Sequence, residues 1–329
     1  MNPLRLSLAI GDYDRIRPLV DGTVRIDGVD PIFSILDPEE IFFRAFRYAD
    51  FDICELSLSS YTVKTAKGES PYIAIPVFPS RAFRHTSVYV RTDRGIDRPE
   101  DLRGRRVGVP EYQLTANVWV RVILEEFGVR PSDITWVRGG YDHPGREEKV
   151  ALNLPADVRL EDLPPHTTIS AALADGSIDA VIGPRAPSCF AAGHPMVKRL
   201  WDDPVAAASE WYAKHRVFPV MHVLGIRREL AEQHRFLPGA LLKGFEAAKA
   251  EAMARLSNTA ATKVTLPFVE ERLAHARALM GDDFWSYGLA GNREGLAMFL
   301  RAHHAQGLSV RCLEPEELFH PASLETFRI

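Results

Sequence analysis

The stretch from residue 76 to residue 116, PVFPSRAFRHTSVYVRTDRGIDRPEDLRGRRVGVPEYQLTA, constrains the fold more than any other part of the chain. Val88, Tyr89 and Val90 read as a short strand after the basic cluster Arg81, Arg84 and His85, and Asp97-Arg-Pro-Glu-Asp-Leu102 opens a short helix or turn. Residues 105–110 form a strand stopped by Pro110, and a helix is expected from Thr115 to Phe127, ending at Gly128. A strand feeding a helix start presents free N–H groups and the positive end of the helix dipole, which together favour an anion without any charged side chain. The stretch is therefore read as a crossover between two lobes, with an anion-binding edge on each side.

The remaining pattern fits that frame. Strands are expected at Leu4–Ile10, Val24–Val29, Phe51–Leu56 and Ile73–Phe78, with an amphipathic helix from Pro38, a polar turn at Ser57, Ser59 and Ser60, and a helix from Tyr61 to Ala66. A second lobe continues with a strand at Ile134–Arg138, the loop Gly139-Gly-Tyr-Asp-His143, an irregular surface excursion over residues 147–165, a helix at Thr168–Ala174 and a strand at Ile178–Gly183. Phe218–Ile226 returns the chain to the first lobe, and helices follow at Leu237–Leu256, Val269–Met280 and Asn292–Gln306. This divides the chain into residues 1–93 (lobe I), 94–216 (lobe II) and 217–329 (the return to lobe I, helical at its end). At 329 residues there is enough chain for two α/β cores. Two crossovers also imply lobes that can close on a ligand. The amphipathic C-terminal third could cover lobe I or make a homo-oligomer contact.

Composition narrows the partners. A formal net charge of −4 argues against a general nucleic-acid binder, and no apolar run approaches the ~20 residues of a membrane helix. Cys54, Cys189 and Cys312 are far apart and odd in number, which fits a reducing compartment better than a disulfide framework or zinc ribbon. The sequence enters a strand from its first residues with no leader-like segment, so a cytoplasmic location is expected.

Two passages carry a resemblance. Ile96-Asp-Arg-Pro-Glu-Asp-Leu-Arg-Gly-Arg-Arg-Val-Gly-Val109 and Ala171-Ala-Leu-Ala-Asp-Gly-Ser-Ile-Asp-Ala-Val181 resemble type 2 periplasmic binding proteins. That likeness implies an α/β, two-lobed type 2 periplasmic-binding-protein-like fold with two hinge crossovers and a helical C-terminal region. More restrictive are Asp52-Ile-Cys-Glu-Leu-Ser-Leu-Ser-Ser-Tyr61, Phe78-Pro-Ser-Arg-Ala-Phe-Arg-His85 and Pro110-Glu-Tyr-Gln-Leu-Thr-Ala116, which look like the 4,5-dihydroxyphthalate decarboxylase family over nearly the whole chain. The resemblance implies a cytoplasmic carboxy-lyase of aromatic catabolism, converting 4,5-dihydroxyphthalate to protocatechuate and CO2 with no cofactor.

Such a reaction needs a proton for the carbon that bears the departing carboxylate, and a base for the hydroxyl para to it. The retained carboxylate suits an arginine fork. His85 is accordingly expected to be the acid and Arg81 or Arg84 the carboxylate clamp, although an arginine here can equally bind a helix end. Glu55, acidic on an apolar strand, is a candidate acceptor of the phenolic proton or an ion-pair partner. His222 on the return crossover is a second proton-transfer candidate or a satisfied core histidine. Tyr112, Thr115 and the N–H groups near Ala116 face a second carboxylate, with Thr115 also suited to an N-cap and Arg185 adding charge. Loops at the carboxyl ends of strands add Ser57, Asp12, Tyr13 and His143 as substrate-binding candidates. Glu55, His85 and His222 lack the local spacing of a metal site, so none is expected, and no Walker or dinucleotide glycine loop is present. The competing classes are a non-catalytic sensor of aromatic acids and another cytoplasmic enzyme of this fold, such as a menaquinone-biosynthesis type. The thiamin-precursor branch usually carries a cysteine-rich motif that this chain lacks.

Overall fold

The computed structural model describes residues 2–145, 148 and 150–324. The described residues form eleven strands: β1 (Leu4–Ile10), β2 (Val29–Ile35), β3 (Ile53–Ser57), β4 (Tyr72–Ile75), β5 (Val88–Arg91), β6 (Arg106–Val109), β7 (Thr135–Arg138), β8 (Arg159–Asp162), β9 (Ala180–Ile182), β10 (Val197–Arg199) and β11 (His222–Arg227). They build two sheets, β2-β1-β3-β11-β4 and β10-β5-β9-β6-β7-β8. The first sheet has apolar strands because helices and loops cover both faces: β3 is buried at all five positions, and Leu8, Ile10, Ile53 and Leu56 are fully enclosed.

β11 alone runs antiparallel within the middle of the first sheet, seated between β3 and β4. The outgoing and returning segments lie side by side between the sheets. Arg81 bridges Val220, Ala82 N–H donates to Pro219 O at 3.1 Å, and Met221 N–H donates to Ser80 O at 2.9 Å. These are the two hinge crossovers.

The C-terminal helices pack onto the first sheet's lobe and onto the junction: Leu237–Leu256 lies against residues 14–20, and Arg293–Ala305 against the helix Thr115–Glu125. The last turn is fastened by Phe319, which bridges Ala74 of β4.

Four expectations are corrected. The second strand begins at Val29 instead of ending there, because Gly28 turns with φ +73° and the register with β1 starts at the Leu4–Val29 pair. Its Pro31 is tolerated because β2 is an edge strand. Ser59 and Ser60 are not a turn but the first residues of the helix Leu58–Ala66. The excursion expected over 147–165 contains β8; its first residue, Glu147, lies outside the described residues. Thr115 is the first helical residue and Leu114 the cap position, so Thr115 is no N-cap. A helix at Pro204–His215, capped by Asp203 through Val205 and Ala206 N–H, was not anticipated.

Candidate active site

Loops leaving the carboxyl ends of β2, β6, β7 and β9 meet at the start of β11, where open α/β sheets hold ligands. They enclose a cavity of about 210 Å³ lined by Asp37, Pro38, Glu39 and Phe42 on one side, by Arg84, Pro110, Tyr141, Pro184 and Arg185 on the other, and by His222. That is smaller than the ~300–1,000 Å³ typical of drug-sized ligands and suits a single ring.

His222 is the link between this cavity and a sealed carboxylate. β3 and β11 pair so that His222 stands opposite Ser57 and Leu224 opposite Glu55. His222 and Glu55 are therefore diagonal neighbours on one face of the sheet. His222 Nδ1 lies 2.5 Å from Glu55 Oε1, and the imidazole edge meets the Phe42 ring with centroids 4.8 Å apart. Among the described residues Nε2 of His222 has no protein partner, on a ring that lines the cavity.

Glu55 is wholly buried and both of its oxygens are engaged. Tyr13 Oη donates to Oε1 at 2.6 Å, and Gly11 N–H donates to Oε2 at 2.8 Å. Burial by itself raises the Glu55 pKa, but the His222 charge and the bonds from His222, Tyr13 and Gly11 prevail and hold it below the ordinary carboxylate range. Burial, together with the Glu55 charge beside it, pushes the Tyr13 phenol up. Gly11 permits this closure, since a Cβ there would stand 2.9 Å from the Tyr13 ring. A glutamate kept ionised behind a histidine holds a proton on Nδ1, so Nε2 carries one toward the cavity only when the ring is doubly protonated.

Arg84 donates to Met221 Sδ at 3.1 Å and to Pro184 O at 3.4 Å. Burial lowers its pKa to about 10, so it stays a cation at neutral pH. Arg185 is exposed at the lip, 5.9 Å from the Tyr141 ring. Among the described residues neither arginine has a carboxylate partner, which leaves two cations at one cavity.

The other nominated residues lie elsewhere. His85 is next to Arg84 in sequence but lines a separate cavity of about 330 Å³ with Phe127, Trp201 and Trp211; its ring packs 5.1 Å from that of Trp201 and burial lowers its pKa to about 4. It is not at the Glu55–His222 centre and is replaced there as the acid candidate by His222. Arg81 is consumed structurally, donating to Phe218 O at 2.9 Å and to Ser286 O and Asn292 Oδ1 at 2.5 Å each. Ser57 and Thr115 bond each other at 3.1 Å, and Thr115 accepts from Ser59 N–H at 3.0 Å, so both join the two lobes and neither lines the cavity. Tyr112 packs against Trp136 and beneath Arg121, and Ala116 is buried at the helix start. Asp12 pairs with Arg17 at the surface, and His143 is exposed on its loop. Tyr13 belongs to the centre, but as a partner of Glu55. Sequence reasoning missed Asp37, Glu39, Phe42 and Tyr141; for Tyr141 the signal was its place in a loop after a strand of lobe II. Among the described residues no group of three or more His, Cys, Asp and Glu side chains is arranged to hold a metal ion.

Two sheets joined by paired crossovers, with a polar cleft between their loops, define a periplasmic-binding-protein fold. Solved structures agree: the periplasmic aliphatic sulphonate binding protein SsuA of Escherichia coli superposes with a TM-score of 0.56 at 15% identity, covering 99% of this chain and 96% of that one. A sulfonate-binding SsuA from Methylobacillus flagellatus gives 0.57 at 11% identity over 98% and 93%. Residues 82–147 also match a family model described as NMT1/THI5 like. The chain is 67% identical over its full length, and that of its relative, to a 4,5-dihydroxyphthalate decarboxylase of Comamonas testosteroni. It is 70% identical to one of Pseudomonas putida over 64% of this chain and 83% of that one. The chain belongs to the 4,5-dihydroxyphthalate decarboxylase family.

Proposed function

We propose that this protein decarboxylates 4,5-dihydroxyphthalate to protocatechuate and CO2, with His222 as the acid and Glu55 as the residue that holds it. The observation that carries the mechanism is the sealed Glu55–His222 pair, 2.5 Å apart, opening through one imidazole onto a ring-sized cavity with two arginines. The relatives' names supply the substrate.

The steps follow from that arrangement. Arg84, pinned at two points, holds the carboxylate that stays; Arg185, on the exposed loop, meets the one that leaves. His222 Nε2–H protonates the ring carbon bearing that carboxylate while the hydroxyl para to it gives up its proton and becomes a carbonyl. The acceptor for that proton on the cavity wall is the Asp37 carboxylate. The carbon–carbon bond then breaks, its electron pair restores the aromatic ring, and the carbonyl oxygen is reprotonated. The dianion takes up one proton per turnover and yields a monoanion and CO2, so His222 must be recharged from solvent. Phe42 and His222 offer edges against which the ring can lie.

We place the protein in the cytoplasm. All three cysteines are free, as a reducing compartment keeps them, and among the described residues no helix is long and apolar enough to cross a membrane. The test is CO2 release from 4,5-dihydroxyphthalate by chelator-treated protein, with protocatechuate followed by chromatography. Catalytic release supports the reading. Binding without turnover would replace it with a sensor of aromatic acids.

A further inference from the structure

The two cavity cations depend on a single loop. Gly183-Pro184-Arg185 leaves β9 and is held at three points. Gly183 N–H donates to Ser87 O at 3.1 Å, Pro184 O accepts from Arg84 Nη1 at 3.4 Å, and Arg185 O accepts from Tyr141 Oη at 2.5 Å. Tyr141 is buried, arrives from the loop after β7, and forms part of the cavity wall. Its ring fits only because residue 183 has no side chain: a Cβ there would stand 2.6 Å from Tyr141 Cε2. The Tyr141 hydroxyl thus bonds the carbonyl of Arg185 itself, while the Arg84 guanidinium holds that of the preceding Pro184.

We propose that Tyr141 is a positioning residue that sets Arg185 beside Arg84 so that the cleft selects an aromatic ring carrying two adjacent carboxylates over one carrying a single carboxylate. The proposal rests on the cleft being the aromatic-acid site. A benzene-1,2-dicarboxylate presents two anions fixed by the ring, and each guanidinium takes one. A monocarboxylate engages one arginine and leaves the other in water. Charge-assisted bonds of this kind depend steeply on geometry, so a loop freed from Tyr141 keeps Arg185's charge but loses its placement. The catalytic pair lies on β3 and β11, on elements other than this loop, which separates selection from proton transfer.

The test uses phthalate and benzoate as calorimetric probes. Neither has the para hydroxyl that the reaction needs, so binding is read without turnover. The wild type should prefer phthalate by about tenfold or more, as expected for one further charge-assisted contact. Tyr141→Phe, which keeps the ring, should cut that preference at least threefold with the affinity for benzoate little changed. Arg185→Ala should remove the preference, and adding Tyr141→Phe to it should change nothing further, since the tyrosine acts through the arginine. If Tyr141→Phe does not fold, Gly183→Ala displaces the same ring and should narrow the same ratio. With 4,5-dihydroxyphthalate the loss should fall on KM more than on kcat. Wild-type indifference between the probes would overturn the proposal, as would a Tyr141→Phe preference within twofold of wild type or an undiminished effect on the Arg185→Ala background. Failure to decarboxylate 4,5-dihydroxyphthalate with the probe preference intact would sink the catalytic reading and leave this one standing.

Discussion

Glu55→Gln is the substitution that probes the centre most directly. The side chain is fully buried and accepts from Gly11 N–H, Tyr13 Oη and His222 Nδ1 at 2.5–2.8 Å. Removing its charge turns three charge-assisted bonds into neutral ones, at roughly 1 kcal/mol each. The new NH2 group must also face one of three donors, which adds about 1 kcal/mol or more. The total, about 3–5 kcal/mol, is the range for removing one side of a buried pair. With an unfolding entropy of about 2.1 cal/mol/K per residue over 329 residues, the melting temperature should drop by about 4–7 °C. Turnover should fall by about 10²–10⁴, because the imidazolium loses its counter-charge. The pH dependence has a definite sign. The native Glu55 pKa is depressed, so its stabilisation is complete above the ordinary value of about 4.3 and vanishes as pH falls through the lower native one. Urea unfolding of both proteins should therefore show a gap that closes as pH falls below about 4.3. A kcat within threefold of wild type, or a gap undiminished at pH 3, would refute this account.

His222→Asn should abolish CO2 release while phthalate still binds within about fivefold of wild type; calorimetry beside product chromatography checks both. Arg84→Ala should raise KM for 4,5-dihydroxyphthalate by tenfold or more with a small stability cost, whereas Arg81→Ala should lose about 3 kcal/mol of stability with its three buried bonds, read by urea unfolding and initial rates. His85 and His303 are buried neutral, with pKa values lowered by burial to about 4 and about 3. Because the unfolded chain takes up those protons first, stability should fall as pH drops below about 6.5, by roughly 1–2 kcal/mol per histidine by pH 5. A flat stability between pH 7 and pH 5 would contradict that burial.

Strong periodicity was readable in this chain, and orientation was not. β1, the helix Pro38–Tyr48 and the helix Thr115–Glu125 follow from apolar spacing. β8 escaped because Arg-Leu-Glu-Asp at a sheet edge has almost no apolar face, and the helix Pro204–His215 because its alanines give a weak stripe despite the Asp203-Pro204 start. Glu55 and His222 were legible as lone polar residues on apolar strands; that they meet depends on the β3–β11 register, which sequence alone does not give. His85 and Arg84 could not be told apart because a single turn sends neighbouring side chains into different cavities. Tyr141 was passed over for His143 in the same loop, since residue type favours histidine, while the space that admits the tyrosine belongs to a glycine 42 residues away.

The central position of β11 also governs how the chain can be made. β4 ends at Ile75 and β11 at Arg227, so about 150 residues, including the whole second sheet, are synthesised while β3 and β4 have no strand between them. At about 5–20 residues per second that interval is roughly 8–30 s. During it two apolar strand edges lie open to other nascent chains. The second sheet draws only on contiguous strands between residues 88 and 199 and can close in the meantime, whereas the first waits. Aggregation during expression should thus track elongation rate and temperature more than the stability of the finished molecule. A fragment ending before His222 would carry Glu55 into a half-built sheet with no histidine to meet it.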